Sequence, residues 1–328
     1  MSWYFQTGKE SDVVMLSKIS LARNLSQFNF YIKEDTEIIK LENLMQESLL
    51  QLGYIFKHVR VKDLDEITAQ TLVEKSLIPK ETSQNKKASI LINEEENICI
   101  ILNCDNHFTI QIFSSGLEID SITNLCVEID EKLQTILNIS KSAKYGYLTG
   151  CPINVGTGMK ISVILHLPGL SKTKNVKKII SFVRQFGIEI TKEENPDIYQ
   201  ISNERTLGLT EEDIVKNIKS IAEKIIEQER AARKILSENQ IELEDSILRS
   251  YGILRNCKKT SISEAEELLS NVKLGTDLGI ITELTDSKVK KLYLYIKPAS
   301  IRKYFGQELT FQEENIKRAE IIKSITKE

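Results

Sequence analysis

The chain has 328 residues, 41% of them hydrophobic, enough to bury a substantial core and, on size alone, to form about two domains. Its 44 lysines and arginines against 47 aspartates and glutamates leave a net charge of -3, which excludes the strong basic field that drives nucleic-acid binding. No stretch approaches the roughly 20 consecutive apolar residues that cross a bilayer, and Met1-Ser2-Trp3-Tyr4-Phe5 lacks a basic-then-apolar signal, so no membrane association and a cytoplasmic location are expected.

The turn-like Thr7-Gly8-Lys9-Glu10-Ser11-Asp12 leads into Val13-Val14-Met15-Leu16, Ile19 and Leu21, a strand pattern. Between Glu37 and Leu52 the apolar residues Ile38, Ile39, Leu41, Leu44, Leu49 and Leu50 recur near helical spacing, and Gly53 is placed to end a helix. A second helix is predicted from about Asp63 to Leu77, and the polar run Pro79 to Lys87 as a loop. Ala88 to Ile92, Ile98 to Asn103 and Phe108 to Phe113 are short, rich in β-branched and aromatic residues, and separated by polar turns, so they read as neighbouring antiparallel strands. Ile119 to Leu137 returns to helical periodicity, and Lys160 to Leu167 alternates as a strand. Lys174 to Phe186 is helical, and Gly187 to Ile190 with Tyr199 to Ser202 forms a further hairpin. The first two-thirds is therefore α+β.

From Thr210 the character changes. Thr210 followed by Asp213 is a capping-box start, and Ile214, Ile218, Ile221, Ile225 and Ile226 carry an apolar stripe to about Leu236. The remainder is helical, punctuated by Gly252, Gly275 and Gly279, and ends in a charged amphipathic segment from Gln312 to Glu328. The expected division is an α+β domain over residues 1–236 and an all-helical domain over 237–328.

Five cysteines, Cys99, Cys104, Cys126, Cys151 and Cys257, are odd in number and too dispersed for a disulfide framework or for paired zinc ligands, so no metal site is expected. The most informative segment is Cys151-Pro152-Ile153-Asn154-Val155-Gly156-Thr157-Gly158-Met159-Lys160. Its glycines, flanking a small hydroxyl residue before a strand, allow close backbone approach to a ligand, and the cysteine offers a thiolate beside a guanidinium. Taken alone it reads as a tight turn. With Gly146-Tyr147-Leu148-Thr149 before it and Leu165-His166-Leu167-Pro168-Gly169-Leu170 after it, it resembles the phosphagen (guanidino) kinases, and among them the bacterial protein arginine kinases of the McsB type. Leu21-Ala22-Arg23-Asn24-Leu25, Gln200-Ile201-Ser202-Asn203, Glu227-Gln228-Glu229-Arg230-Ala231-Ala232-Arg233, Ile241-Glu242-Leu243-Glu244-Asp245 and Leu274-Gly275-Thr276-Asp277-Leu278-Gly279 extend the resemblance over most of the chain.

That resemblance implies a phosphotransferase domain built on an antiparallel sheet flanked by helices, a helical C-terminal domain used for dimerisation, and transfer of the γ-phosphate of magnesium-bound ATP to a protein arginine. Such chemistry works by positioning a highly charged triphosphate and stabilising the transferring group, a task suited to guanidinium forks. The family motif Ser-Ser-Arg-x-Arg falls here on Leu16-Ser17-Lys18-Ile19-Ser20. Its Asn-Glu-Glu-Asp-His-x-Arg falls on Asn103-Cys104-Asp105-Asn106-His107-Phe108-Thr109, with Asp105 at the base position and Thr109 at an arginine position. Lys160 replaces another arginine and Ser76 a histidine, and the short acidic run Ile190-Thr191-Lys192-Glu193-Glu194-Asn195-Pro196-Asp197 stands where an arginine and a glycine-rich loop are implied.

The catalytic candidates are thus Asp105 and Cys151, and the nucleotide positions are Lys18, Ser20, Ser76, Thr109 and Lys160 with Asn154, Gly156, Thr157 and Gly158. His107 is expected to orient a turn, and Arg230 and Arg233 to lie on a solvated helix face, although the resemblance implies that this helix lies close to the catalytic domain. The family's phosphoarginine-sensing Arg-Asp-x-x-Arg-Ala becomes Glu314-Asn315-Ile316-Lys317-Arg318-Ala319, which weakens an anion site there. Losing two charge-assisted contacts of about 1.5 to 3 kcal/mol each lowers nucleotide affinity by orders of magnitude. The expectation is a pseudokinase without a resident cofactor, acting in stress response and protein quality control as a homodimer, or with an active arginine kinase, a zinc-finger activator or the Clp machinery. The alternatives are an active kinase using ATP and magnesium, with Lys18, Lys160 and Lys192 replacing arginines and Asp105 as base, or a module that binds arginine or phosphoarginine around Cys151 and Asp105.

Overall fold

The computed structural model describes residues 3–327. A short 3-10 helix, Trp3–Phe5, precedes the long strand β1 (Val14–Arg23). Helix α1 (Asp35–Gln51), strand β2 (Lys57–Arg60), and helices α2 (Glu66–Glu74) and α3 (Lys80–Gln84) follow. Strands β3 (Ser89–Ile92), β4 (Ile98–Leu102) and β5 (Phe108–Ser115) form the expected meander, and α4 (Ile119–Gln134) closes it. A small ribbon, β6 (Lys141–Ser142) with β7 (Gly146–Tyr147), leads through the glycine-rich turn to β8 (Met159–His166). Helices α5 (Pro168–Lys172) and α6 (Val176–Arg184) and the hairpin β9 (Ile188–Lys192) and β10 (Ile198–Asn203) complete this part. The run Pro79 to Lys87, expected as a loop, contains the five-residue α3, whose Thr82 is buried.

The strands form one eight-stranded sheet in the order β2-β3-β4-β5-β1-β8-β10-β9, with every neighbouring pair antiparallel. Alternation assigns the two faces. Ile19, Leu21, Ile110, Ile112, Ile161 and Val163 point to one side, where α1, α4 and α7 (Glu211–Ser237) cover them in the largest core. Leu16, Ile90, Ile101 and Phe113 point to the other, beneath Trp3, Leu72 and Leu77. This second cover is partial. It leaves the polar residues near the end of β1 outside the apolar clusters, and these form the candidate site.

Helix α7 starts with the expected capping box: Thr210 Oγ1 accepts from the Asp213 amide, and Asp213 accepts from the Thr210 amide. It runs to Ser237, after which α8 (Gln240–Asn256), α9 (Ile262–Asp277), α10 (Asp286–Tyr295), α11 (Pro298–Phe305) and α12 (Phe311–Lys327) surround a second core. Gly252 and Gly275 do not punctuate these helices but lie inside α8 and α9. At Gly275 the reason is close packing: a Cβ there would fall 2.3 Å from Ile247. Among the described residues no helix is long and apolar enough to cross a membrane.

Buried charge joins the helical part to the sheet. Arg233, expected on a solvated face, is 4% exposed, and this expectation is corrected by its partners. Its Nε donates to Glu229 at 2.7 Å, its Nη1 faces Asp277 of α9 at 3.4 Å, and its Nη2 donates to the carbonyls of Asp12 and His166. Glu229 also accepts from the amides of Gly169 and Leu170, at the start of α5. Arg230 does keep half its surface in solvent, paired with Glu10 and Asp12. A further tie comes from α2, where the Glu74 carboxylate accepts from the Ala299 and Ser300 amides at the first turn of α11, both at 2.8 Å.

Candidate active site

The sheet register builds a polar platform where the end of β1 lies between the start of β5 and the start of β8. Ser20 sits between Gln111 and Lys160, Lys18 between Phe113 and Ser162, and Ala22 opposite Thr109. Lys18, Ser20, Thr109 and Lys160 therefore share one face, as do the unpredicted Gln111 and Ser162. Gln111 is 4% exposed and its Oε1 has no hydrogen-bond partner. Strand alternation from Thr109 was the available signal for it.

Lys18 is partly buried, with its Nζ 5.2 Å from the centre of the Phe113 ring. Burial is the main cause that lowers its pKa to about 8, and Lys160 nearby acts in the same direction. The adjacent Cys99 thiol is pushed up to about 12 by burial. Among the described residues, neither Lys18 nor Lys160 has a carboxylate within ion-pair distance.

Two loops meet at the open edge of the platform. Gly150 lets them touch, because a Cβ there would lie 2.4 Å from the Asp105 carbonyl oxygen. The Asn106 side-chain oxygen accepts from the Gly150 amide at 3.1 Å and the Cys151 amide at 3.5 Å, so Asp105 and Cys151 are held side by side. Asp105 is exposed and Cys151 partly buried. His107 holds the first loop: its Nδ1 accepts from the Leu25 amide at 2.8 Å and its Nε2 donates to the Asn29 carbonyl at 2.7 Å. Burial lowers its pKa and favours that neutral form.

The glycine-rich turn is anchored from beneath by Arg23, a residue that only the structure marks as part of the site. Its buried guanidinium binds Asp130 at 2.8 Å, donates to the carbonyls of Ala22 and Thr157, and stacks 3.5 Å from the centre of the Tyr147 ring. Gly158 takes φ +66, and a Cβ there would meet the Ala22 carbonyl oxygen at 2.6 Å and Arg23 Nη1 at 2.7 Å. Gly156, at φ +115, is pressed against Thr206. Thr157 is buried, while Asn154 borders the exposed Pro152-Ile153 tip.

Ser76 lies apart from this edge, one row beyond Lys18. It follows α2 with φ +60 and lines a cavity of 80 Å³ with Leu16, Ile164, Glu193, Asn195 and Tyr293. The short acidic run closes this end. Asn195 donates to Glu266 of α9 at 2.9 Å, and Ser270 Oγ donates to Asp197 at 2.7 Å. Burial raises the pKa of both Glu193 and Glu266. In α12, the Glu314 carboxylate binds Arg302 at 2.6 Å, and Arg318 spends its donors on the Ile296 and Thr260 carbonyls.

This platform and its loops can be set beside known proteins. The ATP:guanido phosphotransferase C-terminal catalytic domain matches residues 38–232, and the protein-arginine kinase McsB C-terminal domain matches residues 240–328. The protein-arginine kinase of Halothermothrix orenii is 39% identical over 336 residues, covering 98% of this chain and 95% of that one. The chain belongs to the protein-arginine kinase family. The Bacillus subtilis protein-arginine kinase is 35% identical over 334 residues, covering 98% of this chain and 92% of that one. The fold is that of the guanidino kinases. A duplicated taurocyamine kinase from Schistosoma mansoni superposes with TM-score 0.59 at 22% identity, over 70% of this chain and 35% of that one. A lombricine kinase superposes with TM-score 0.58 at 18% identity, over 69% of this chain and 68% of that one.

Within an ATP-dependent protein-arginine kinase family, ATP with magnesium is the phosphoryl donor that a working member needs. Of the positions that the resemblance implies for the triphosphate, Lys18 and Lys160 are lysines, while Ser20, Thr109 and Ser76 are uncharged.

Proposed function

We propose that this protein-arginine kinase homologue no longer transfers phosphate from ATP and acts through protein contacts. The observation that carries this reading is the loss of charge on the platform: of Lys18, Ser20, Thr109 and Lys160, which share one face, only the two lysines are cationic. On the side of Lys18 away from Asp105 the platform ends at Ser76, in a cavity of only 80 Å³ lined also by Trp3, Tyr293 and Lys297. Small-molecule sites occupy about 300 to 1,000 Å³. The short acidic run, pinned to α9 through Asn195 and Asp197, borders that cavity with Glu193 and Asn195.

Melting the protein with and without magnesium and ATP tests this. A kinase holding nucleotide at a hundred times its Kd gains about 2.7 kcal/mol, worth roughly 4 °C in a chain of this size. The expected shift is nil, and a saturable rise of several degrees sinks the proposal.

One observation favours the active alternative: Asp105 and Cys151 stand side by side at the open edge, next to a platform whose two lysines have no counter-charge. There Asp105 would orient and deprotonate the acceptor guanidinium, and Asp105→Asn would abolish turnover.

The protein contact proposed first is a homodimer through α8. Ile241 is 82% and Leu248 50% exposed, and they lie on one stripe with Gly252, which has open space where a Cβ would be. Sedimentation is expected to show a dimer that Leu248→Asp converts to a monomer. A wild-type monomer at micromolar concentration rules this face out.

A further inference from the structure

Trp3, Tyr4 and Phe5 lie between the sheet and the C-terminal helices. Trp3 is held by Phe113, on which it stacks at 5.5 Å, and by Glu96, whose carbonyl accepts from the indole N–H at 2.9 Å. Phe5 stacks on Tyr295 of α10 at 6.1 Å, and Tyr295 meets Tyr304 of α11 edge-on at 5.8 Å. Trp3, Tyr4, Phe5, Tyr295 and Tyr304 line a cavity of 340 Å³. That lies at the lower end of the range of about 300 to 1,000 Å³ for small-molecule sites, and Trp3 and Tyr4 separate it from the smaller cavity at Ser76.

The charges of the lining select among flat ligands. Lys75 is neutralised by Glu96 at 2.6 Å. Lys303 is exposed and has no carboxylate within ion-pair distance among the described residues. Aromatic walls alone would accept a cation over their faces, but the exposed ammonium of Lys303 at their rim repels one. Ring faces and edges suit a planar π system, and the lone ammonium suits an anion attached to it.

We propose that this cavity binds a small planar aromatic carboxylate, its ring among Phe5, Tyr295 and Tyr304 and its carboxylate at Lys303. Because the walls come from the N-terminal segment, α2, α10 and α11, an occupant ties the sheet to the C-terminal helices.

Trp3 is the only tryptophan in the chain, so its fluorescence reports occupancy directly. The full-length protein is titrated with 4-hydroxyphenylacetate, neutral 2-phenylethanol, cationic phenethylamine and a short peptide ending in phenylalanine. A saturable change is expected, with the acid bound at least tenfold more tightly than the amine. Tyr304→Ala removes it, and Lys303→Gln weakens the acid roughly threefold to tenfold while leaving the alcohol unchanged. Both residues are exposed, so folding is preserved, and an unchanged melting temperature verifies this. Tighter binding of the peptide than of the free acid assigns the site to a protein terminus, and the reverse to a metabolite. No saturable change with any probe, equal binding of acid and amine, or undiminished binding in Tyr304→Ala overturns the proposal.

Discussion

Arg233→Met is expected to destabilise the protein by about 3 to 5 kcal/mol in urea denaturation at pH 7, the usual effect of breaking a buried ion pair from one side. The guanidinium is enclosed by Glu229, Asp277 and the carbonyls of Asp12 and His166, so no water replaces it. Methionine fills much of the volume but leaves the Glu229 carboxylate with only the Gly169 and Leu170 amides. Asp277 keeps Lys273 at 3.0 Å but loses its second cation.

The pH dependence follows from Asp277, whose pKa burial raises to about 6 even with both cations present. A carboxyl with a folded pKa above its unfolded value penalises the fold once ionised, and the penalty fades as pH falls from about 6 toward 4. Removing Arg233 raises that pKa further. The loss caused by Arg233→Met is therefore expected to be smaller at pH 5 than at pH 7. Arg230→Met is the control. Its guanidinium is 48% exposed, and its replacement is expected to change stability by less than about 1 kcal/mol. Equal losses at the two positions would remove the distinction drawn between them.

Lys18→Met is expected to act in the opposite direction, stabilising the protein by about 1 to 3 kcal/mol at pH 7. Lys18 places its ammonium beside Phe113 and Cys99 without a counter-ion, and its pKa falls from 10.5 to about 8. Below pH 8 the amine is charged in both states, and the fold carries the full desolvation penalty. Between about 8 and 10.5 the folded state has lost its proton while the unfolded chain retains it, so wild-type stability recovers as pH rises. The advantage of Lys18→Met should shrink over that window, as denaturation curves at pH 7, 9 and 10 would reveal. A destabilised variant at pH 7 would mean that Lys18 has a counter-charge in solution. A bound anion is the simplest source of one.

Much of this architecture was legible from local pattern. The meander from Ser89 to Ser115 followed from β-branched residues between polar turns, and the start of α7 followed from Thr210 and Asp213. Elements with little burial were not legible. Strand β2 has no fully buried residue, and α3 is a single polar turn held by tertiary contacts. Arg233 was misread because its partners Asp277, Asp12 and His166 are brought to it only by the packing of α9 and the sheet against α7. The platform was half legible. Alternation places Lys18 and Ser20 on one face, but nothing local says that Trp3 and Tyr293 line the cavity beyond them or that Asn106 joins the Asp105 loop to the Cys151 loop.

The claim that the scaffold persists without phosphoryl transfer is tested most directly by mass spectrometry for phosphoarginine. An arginine-rich unfolded test protein is incubated with this chain, magnesium and ATP. The account predicts no phosphoarginine above a control lacking the chain. Phosphoarginine that accumulates with wild type and disappears with Asp105→Asn would contradict it.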